Sequence, residues 1–474
     1  MISVKGAYQI FFILGIFFIP FNSEVPKWFG FLGEYSSDSS PIFFLIGFLL
    51  LIIDQIFKGK FYFPLKSNIY GGFLFFLGIL FLTTLINLPN ILGYFFKQTS
   101  GIERFIRQMI SILISGFIFF YLFFNVGRDY GAKKFFLLIR KIFFVSFVIV
   151  LSCGMLEYLI VVQKLIFLIP IYKLYNYLPF VNVSFSQTLL RLSSITYEPP
   201  ALGTYLISIS GFMFSYILTS SKKRRFLPFI AVVILAILCK SRTALIVVLL
   251  QTIGGIAFTY YMFSDFRKIL NKALVFSFII GLFVGVLYRD SIYQAVSARM
   301  ASLDFTKTDY SSKDNSVSNK SRLGIQYAMF EVFKENPVFG TGWGQQAYET
   351  SHLYPRWATK ENYEFSTMYL NKDYKSFPPG YNLFLRILTE AGIVGFLSFM
   401  LFLYLIFSSS IYTFRKSKGH KYIALALIIS FTGLVINWFQ IDSFRQYAFW
   451  LCLAVLIIYK KEMNARLDNS NTAL

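Results

Sequence analysis

Long apolar runs alternate with short polar connections along this chain from end to end. Runs of bilayer-spanning length occupy 7–22, 41–56, 70–88, 108–126, 142–162, 201–219, 226–240, 242–263, 273–289, 391–412, 421–438 and 445–459. A helix needs about 20 mostly apolar residues to cross the hydrocarbon core, so the pattern predicts an all-α polytopic membrane protein with about twelve transmembrane helices. The two runs that flank CKSRTAL are close enough to be one broken helix, which leaves the count uncertain by about one. A single connection is unlike the others. Between Arg289 and Glu390 lie mixed polar and aromatic residues, and a connection that long is usually functional or a small domain of its own. The chain therefore divides into 1–289 (helices one to nine), 290–390 (a long loop domain) and 391–474 (helices ten to twelve and a tail).

Charge orients these spans. With the N-terminus in the cytoplasm, Lys5 and the segments KGKFYFPLK, GRDYGAKKFFLLIRK, SSKKRR, SDFRKILNK, TFRKSKGHK and the C-terminal YKKEMNAR all fall inside. Counted with Asp54 at the adjoining span end and Asp468 in the tail, this side holds 23 of the 45 Lys and Arg against 5 of the 23 Asp and Glu, so +18 of the net +22 lies there. Every loop agrees with the positive-inside rule, which places both termini in the cytoplasm and the long loop outside. The basic balance thus reads as topology and contact with anionic membrane lipids, not as nucleic-acid binding. Composition agrees: 56% of residues are hydrophobic and 14% charged, with a mean hydropathy of +0.61. No small-residue cleavage site precedes IPFNSEV, so the first run reads as a retained span. Cys153, Cys239 and Cys452 fall in or beside spans, and His352 and His420 fall on opposite sides of the membrane. Neither disulfides nor a metal site is expected.

Against this charge rule, several arginines lie at the outer face. Arg191 and Glu198 bracket RLSSITYEPPALGTYL; Arg242 sits in CKSRTAL, Arg322 in NKSRLG, Arg386 in YNLFLRILTE and Arg445 in DSFRQYAFW. A guanidinium presents a planar fork of donors suited to phosphate oxygens. The bland reading is interfacial snorkelling or pairing with Asp442, Glu390 or Glu198. Glu198 precedes Pro199–Pro200 at a helix start, where a carboxylate meets the positive end of the helix; it is a candidate base or a partner for an arginine. Glu157, near the outer end of its span, reads as interfacial. In FGTGWGQQ, Gly340, Gly342 and Gly344 alternate around Trp343, a pattern that lets backbone amides approach a ligand. TKTDYSSKDNSVSNKS (306–321) reads as flexible, SRLGIQYAMFEVFKENPVF as a helix ending at Asn336–Pro337, and 164–190 as an interfacial segment that does not cross.

SRLGIQYAMFEVFKENPVFGTGWG followed by PPGYNLFLRILTEAGIVGFLSFM resembles the long-loop signature of the O-antigen ligase and Wzy-type polymerase superfamily. Matching positions are Arg322, Pro337, Gly340, Gly342, Gly344, Asn382, Glu390, Gly392 and Gly395, with Glu198 and Arg242 added by upstream segments. The likeness covers roughly 190–450. It implies a membrane glycosyltransferase of the C-type (GT-C-like) fold in the bacterial cytoplasmic (inner) membrane, with its active site facing the periplasm. The implied substrate is an undecaprenyl-pyrophosphate-linked oligosaccharide of O-antigen, capsule or exopolysaccharide. No metal or other cofactor is implied, because arginines replace the metal's electrostatic role. Glu198, Arg242 and Arg322 take the catalytic positions; Arg191, Arg386, Arg445, Gly340, Gly342, Trp343, Gly344, Tyr381 and Asn382 take substrate-binding ones. A chain-length regulator protein is a candidate partner.

One departure bears on the reaction. Family ligases commonly carry a proposed catalytic His where this chain has Tyr381, and a phenol with a pKa of about 10 is a poor base near neutrality. That favours a polymerase of lipid-linked repeats over a ligase that transfers glycan to a lipid A core. A lipid-linked saccharide flippase would share an arginine-lined cavity. It would not need the aromatic outer loop, and the paired halves of many transporters are absent from the sequence.

Overall fold

The computed structural model describes residues 4–184, 191–220, 223–287, 313–417 and 419–471, with isolated positions between 289 and 297. The main helices are α1 (Val4–Phe17), α2 (Ser40–Lys58), α3 (Asn68–Ile86), α4 (Gly101–Tyr130), α5 (Ala132–Val161), α6 (Pro199–Thr219), α7 (Leu227–Leu238), α8 (Arg242–Met262) and α9 (Ser264–Leu287). They continue as α10 (Lys313–Glu335), α11 (Leu383–Lys416), α12 (Lys421–Asn437) and α13 (Tyr447–Asn471). Each of the twelve apolar runs coincides with one of these helices. Among the described residues, seven are long and apolar enough to cross a membrane (α2 to α6, α8 and α11), and α1 and α12 are shorter apolar helices.

Several helices outrun their apolar stretches. α4 begins at Gly101, where the Ser100 hydroxyl accepts from Glu103 N at 3.3 Å, and α5 begins at Ala132. Hydropathy marks the portion suited to hydrocarbon, whereas the helix itself continues until its backbone is capped. α11 shows the difference most clearly. It starts at Leu383, yet Gly392 interrupts it with φ 62° and ψ −164°, close to the expected start of the apolar run at 391. The separation of α7 from α8 is also real: Lys240 takes a left-handed φ of 52°, and Ser241 precedes α8 as its N-cap.

Aromatic packing fills the bundle. α13 is buried from Ala448 to Tyr459, and Trp450 meets Phe73 of α3 with ring centroids 5.0 Å apart. α3 also packs along α11, and α6 packs between α8 and α12. Residues 114–119 of α4 form a π-helical turn, which loosens the regular backbone ladder and leaves carbonyls free. Tyr35 donates to Ser111 O at 2.6 Å and Tyr70 to Gly116 O at 3.0 Å.

The bundle has two unlike ends. One carries Lys5 with Asp129 (3.4 Å), Lys58 with Asp54, Arg140 against Thr219 (2.7 Å) and Lys460 against Ser409 (3.0 Å). The other carries the starts of α6, α8, α11 and α13, with α10 and residues 336–382. Residues 306–312 of the stretch expected to be flexible lie outside the described residues; Lys313–Ser321 is already helical, within α10. α10 ends at Glu335, before Asn336–Pro337, as the sequence indicates. A hairpin of two-residue strands, Phe95–Phe96 and Thr99–Ser100, reaches this end from the α3–α4 connection. Its Lys97 is buried and donates to the carbonyls of Tyr374 (2.9 Å), Ser376 (2.8 Å) and Met368. The long loop is thus stapled to the connection between the third and fourth apolar runs. In the segment expected to lie in the interface, Ile166–Tyr177 forms only short helical turns, with Phe167 and Tyr177 exposed; 185–190 lie outside the described residues.

Candidate functional site

The opening motif folds into a tight turn held by a buried acid. Glu157, expected at the interface, is instead fully enclosed on α5. Its carboxylate accepts from Ser194 N at 2.7 Å and from Ser193 N at 3.2 Å. Ser194 adopts a left-handed φ of 54° and its hydroxyl donates to Val150 O at 2.7 Å. Leu192 and Ile195 are buried on either side, and the Thr196 hydroxyl bridges Ser193 O (2.7 Å) and Glu198 O (3.0 Å). The turn leaves Arg191 at one end and Tyr197–Glu198 at the other. Glu198 is the N-cap of α6, with extended φ −159° and ψ 160°, the geometry the following prolines require.

α10 brings the next arginine to the same place. Arg322 and Arg191 both act electrostatically on Glu198, Arg322 more strongly. The guanidinium of Arg322 stands over the Tyr381 ring, 4.9 Å from its centroid. Gln326, one turn along α10, donates to Tyr381 O at 3.5 Å, and Thr389 of α11 donates to Met329 O at 3.0 Å, so the helix is fixed against the start of α11. Two donors stand out. The Nε atoms of Arg191 and of Arg322 are both buried and have no hydrogen-bond partner among the described residues. A buried donor without an acceptor costs about 1–3 kcal/mol, and here two elements present such donors from arginines that both act on Glu198.

Glu198 is exposed, and Tyr197 is 55% exposed. Crowding pushes the Glu198 carboxyl above its ordinary range, opposed by Arg322, by a hydrogen bond with Tyr197 and by Arg191. Tyr381 is unsuited to act as a base: burial pushes its phenol up, and its hydroxyl is engaged with that of Tyr369 at 2.8 Å. Tyr197 links this site to a second group, since Asp38 and Arg445 both act on it electrostatically. Arg445 lies 3.9 Å from Glu34 and donates to the Ser443 hydroxyl at 3.0 Å, while Tyr447 donates to Asp38 at 2.7 Å. Arg242 opens α8, whose Ser241 and Ala244 abut Gly203, five residues beyond Glu198. The structure therefore brings Arg191, Glu198, Arg322 and Tyr381 together, with Arg242 on an adjoining helix start and Arg445 beyond Tyr197. Tyr197, Asp38 and Glu34 have no sequence signal of their own, because they are scattered through separate segments and show no spacing.

The remaining candidates occupy different roles. Residues 340–348 are buried. Gly340 N donates to Asn336 O, Thr341 N to Thr389 O, Gly342 N to Glu390 O, Trp343 N to Thr84 Oγ1 and Gln346 N to Glu390 Oε1. The expectation that Gly340, Gly342, Trp343 and Gly344 approach a ligand gives way to a packing role for this loop, because the amides of Gly340, Gly342 and Trp343 are spent inside the protein and Gly344 packs against Gln108 and Arg104 O. The glycines are needed for contact: a Cβ on Gly340 would lie 2.4 Å from Glu390 C, and one on Gly392 2.2 Å from Val338 O. Arg386 is likewise enclosed. It pairs with Glu390 (3.1 Å) and donates to Asp442 O and Gln108, both at 2.9 Å, with its guanidinium 4.5 Å from the Trp343 ring centroid. With its donors so engaged, it fixes the start of α11 and is removed from the substrate-facing set. Asn382 is the N-cap of α11, its side chain accepting from Leu385 N at 3.1 Å. No group of three or more His, Cys, Asp or Glu that could hold a metal ion occurs among the described residues.

Residues 227–400 match the family model described as O-antigen ligase. No curated protein matches the chain. The matched stretch runs from α7 into α11 and includes Arg242, Arg322, the glycine loop, Tyr381 and Arg386. Arg191, Glu198 and Arg445 lie outside it.

Proposed function

We propose that this chain, which carries an O-antigen ligase family domain over residues 227–400, is a membrane glycosyltransferase that polymerises undecaprenyl-pyrophosphate-linked oligosaccharide repeats. The observation that carries the reading is the pair of buried, unpartnered Nε donors of Arg191 and Arg322 beside Glu198. In the reaction, a hydroxyl of one lipid-linked repeat attacks the anomeric carbon of the chain on another lipid carrier. A C–O bond forms and the bond to pyrophosphate breaks. The hydroxyl proton passes to Glu198, and the pyrophosphate leaves with the electron pair. Arg191, Arg322 and Arg242 stabilise that charge, supplying electrostatics a divalent cation often provides. Aromatic faces at Tyr197 and Tyr381 suit sugar rings.

The description of the matching family favours ligation as a second reading. What supports polymerisation is Tyr381, whose buried phenol replaces the ligase histidine and leaves Glu198 as the available base. Loss of the gene should leave single repeats on the final acceptor with no ladder of longer chains. Full-length chains accumulating on the lipid carrier would show ligation lost instead.

The reading requires the site to face the periplasm and the basic end of the bundle to face the cytoplasm. Reporter fusions after Lys223 and Lys418 should read cytoplasmic and one within 305–320 exoplasmic. A cytoplasmic signal from the last would place every proposed residue on the wrong side.

A further inference from the structure

Glu157 is a carboxylate enclosed in a bundle wall with no obvious place in the chemistry. Its hydrogen-bond donors all come from one turn: Ser194 N at 2.7 Å and Ser193 N, shared between both oxygens at 3.2 Å, with the Ser193 side chain beside them. The titratable groups that sense it are Tyr172 and Cys153, neither of them a cation. Burying a carboxylate is costly unless it is well hydrogen-bonded, and successive amides in a turn form a concavity that suits an anion. The turn so held has little freedom elsewhere. Ser194 is in the left-handed region and anchored to Val150 O, and a Cβ on Gly154 would come within 3.6 Å of Ser194 Cβ. Three residues separate Glu157's anchor at Ser194 from Glu198, and two separate it from Arg191.

We propose that Glu157 is a positioning residue, whose buried carboxylate clamps the Ser193–Ser194 turn and thereby sets Arg191 and Glu198 in register with Arg322. The proposal rests on the reading of Glu198 as the base. Glutamine is the informative replacement, since it keeps the volume but turns an N–H donor toward amides that themselves donate. The groups acting on Glu198 are Arg322 from α10, Tyr197 beside it and Arg191 across the turn. A turn released from α5 carries Glu198 away from the arginines that favour its ionised form. Its carboxyl then ionises at higher pH, and the acid limb of the rate profile moves up.

The test uses the purified full-length protein with a lipid-linked repeat as substrate. Glu157→Gln should lower kcat about tenfold to a hundredfold, the range expected of displacements near 1 Å. KM should stay near the wild-type value and the acid limb should shift upward, with melting temperature and membrane level unchanged. Glu157→Asp, which retains the carboxylate, should recover part of the rate. A rate that falls only in proportion to folded protein, with the acid limb unmoved, overturns the proposal. Tyr197→Cys supplies a reading independent of catalysis, because the natural cysteines are buried. Its labelling by a membrane-impermeant maleimide should change several-fold when Glu157→Gln is added, and equal labelling rates overturn the clamp. If Glu198→Gln has the wild-type rate while labelling responds to Glu157, the base assignment fails and the clamp survives.

Discussion

An Arg322→Ala protein inserts at the wild-type level and elongates glycan at least about a hundredfold more slowly. Two charge-assisted bonds to a leaving pyrophosphate contribute about 1.5–3 kcal/mol each, and each 1.36 kcal/mol is tenfold in rate. The fold loses little, because Arg322 sits outside the bundle's apolar core and its visible contact is the Tyr381 ring at 4.9 Å. Arg322→Lys recovers only a minor part, since an ammonium lacks the fork that engages two oxygens at once. Arg386→Ala provides the contrast. It strands Glu390, which is fully buried and paired at 3.1 Å, and breaking such a pair costs about 3–5 kcal/mol. That protein should be recognised by low membrane abundance and a lower melting temperature. Wild-type elongation by a well-inserted Arg322→Ala protein would remove the pyrophosphate role.

Glu198→Gln is expected to lower the rate by about 10²–10⁴-fold, the usual contribution of a positioned base. In the wild-type protein the same group is expected to set the pH dependence. Its carboxyl is held above the ordinary range by crowding, against the pull of Arg322 and Arg191. A base works ionised, so activity is present above this raised pKa and falls as pH drops through it. Removing Arg191 takes away a charge that favours the ionised form. Arg191→Ala should therefore move the acid limb to higher pH as well as slowing the reaction. An acid limb that stays in place in Arg191→Ala, or that persists in Glu198→Gln, would assign the titration to another group.

Much of this site was legible from charge alone. Arg191, Arg242 and Arg322 stood out because they lie on the outer side, where the positive-inside rule does not account for basic residues, and Glu198 because Pro-Pro follows it. Hydropathy located every helix of the bundle. It missed where helices begin, as at Gly101 and Leu383, because caps and amphipathic turns carry no apolar signal. The glycine loop misled for a related reason. Positive φ at Gly340, Gly342 and Gly344 is required equally by a ligand cradle and by close packing. Only the approach of Glu390 and Ala391 to Gly340 distinguishes the two. Arg386 and Arg322 look alike in sequence, yet one meets Glu390, Gln108 and Asp442 in three dimensions and the other leaves Nε unpartnered. Glu157 was invisible as a positioning group because its partners belong to a turn 36 and 37 residues away and are mainly backbone amides.

The central claim is that one lipid-linked repeat serves as acceptor for the chain on another. It is tested most directly by incubating the purified protein with a single undecaprenyl-pyrophosphate-linked repeat and no other acceptor, then resolving the products by size and by the lipid they carry. The account expects a ladder of chains, each still on undecaprenyl pyrophosphate, with free undecaprenyl pyrophosphate released at every addition and no ladder from Arg322→Ala. A wild-type protein that leaves the single repeat unextended, yet transfers a preformed chain once a lipid A core is supplied, would contradict it.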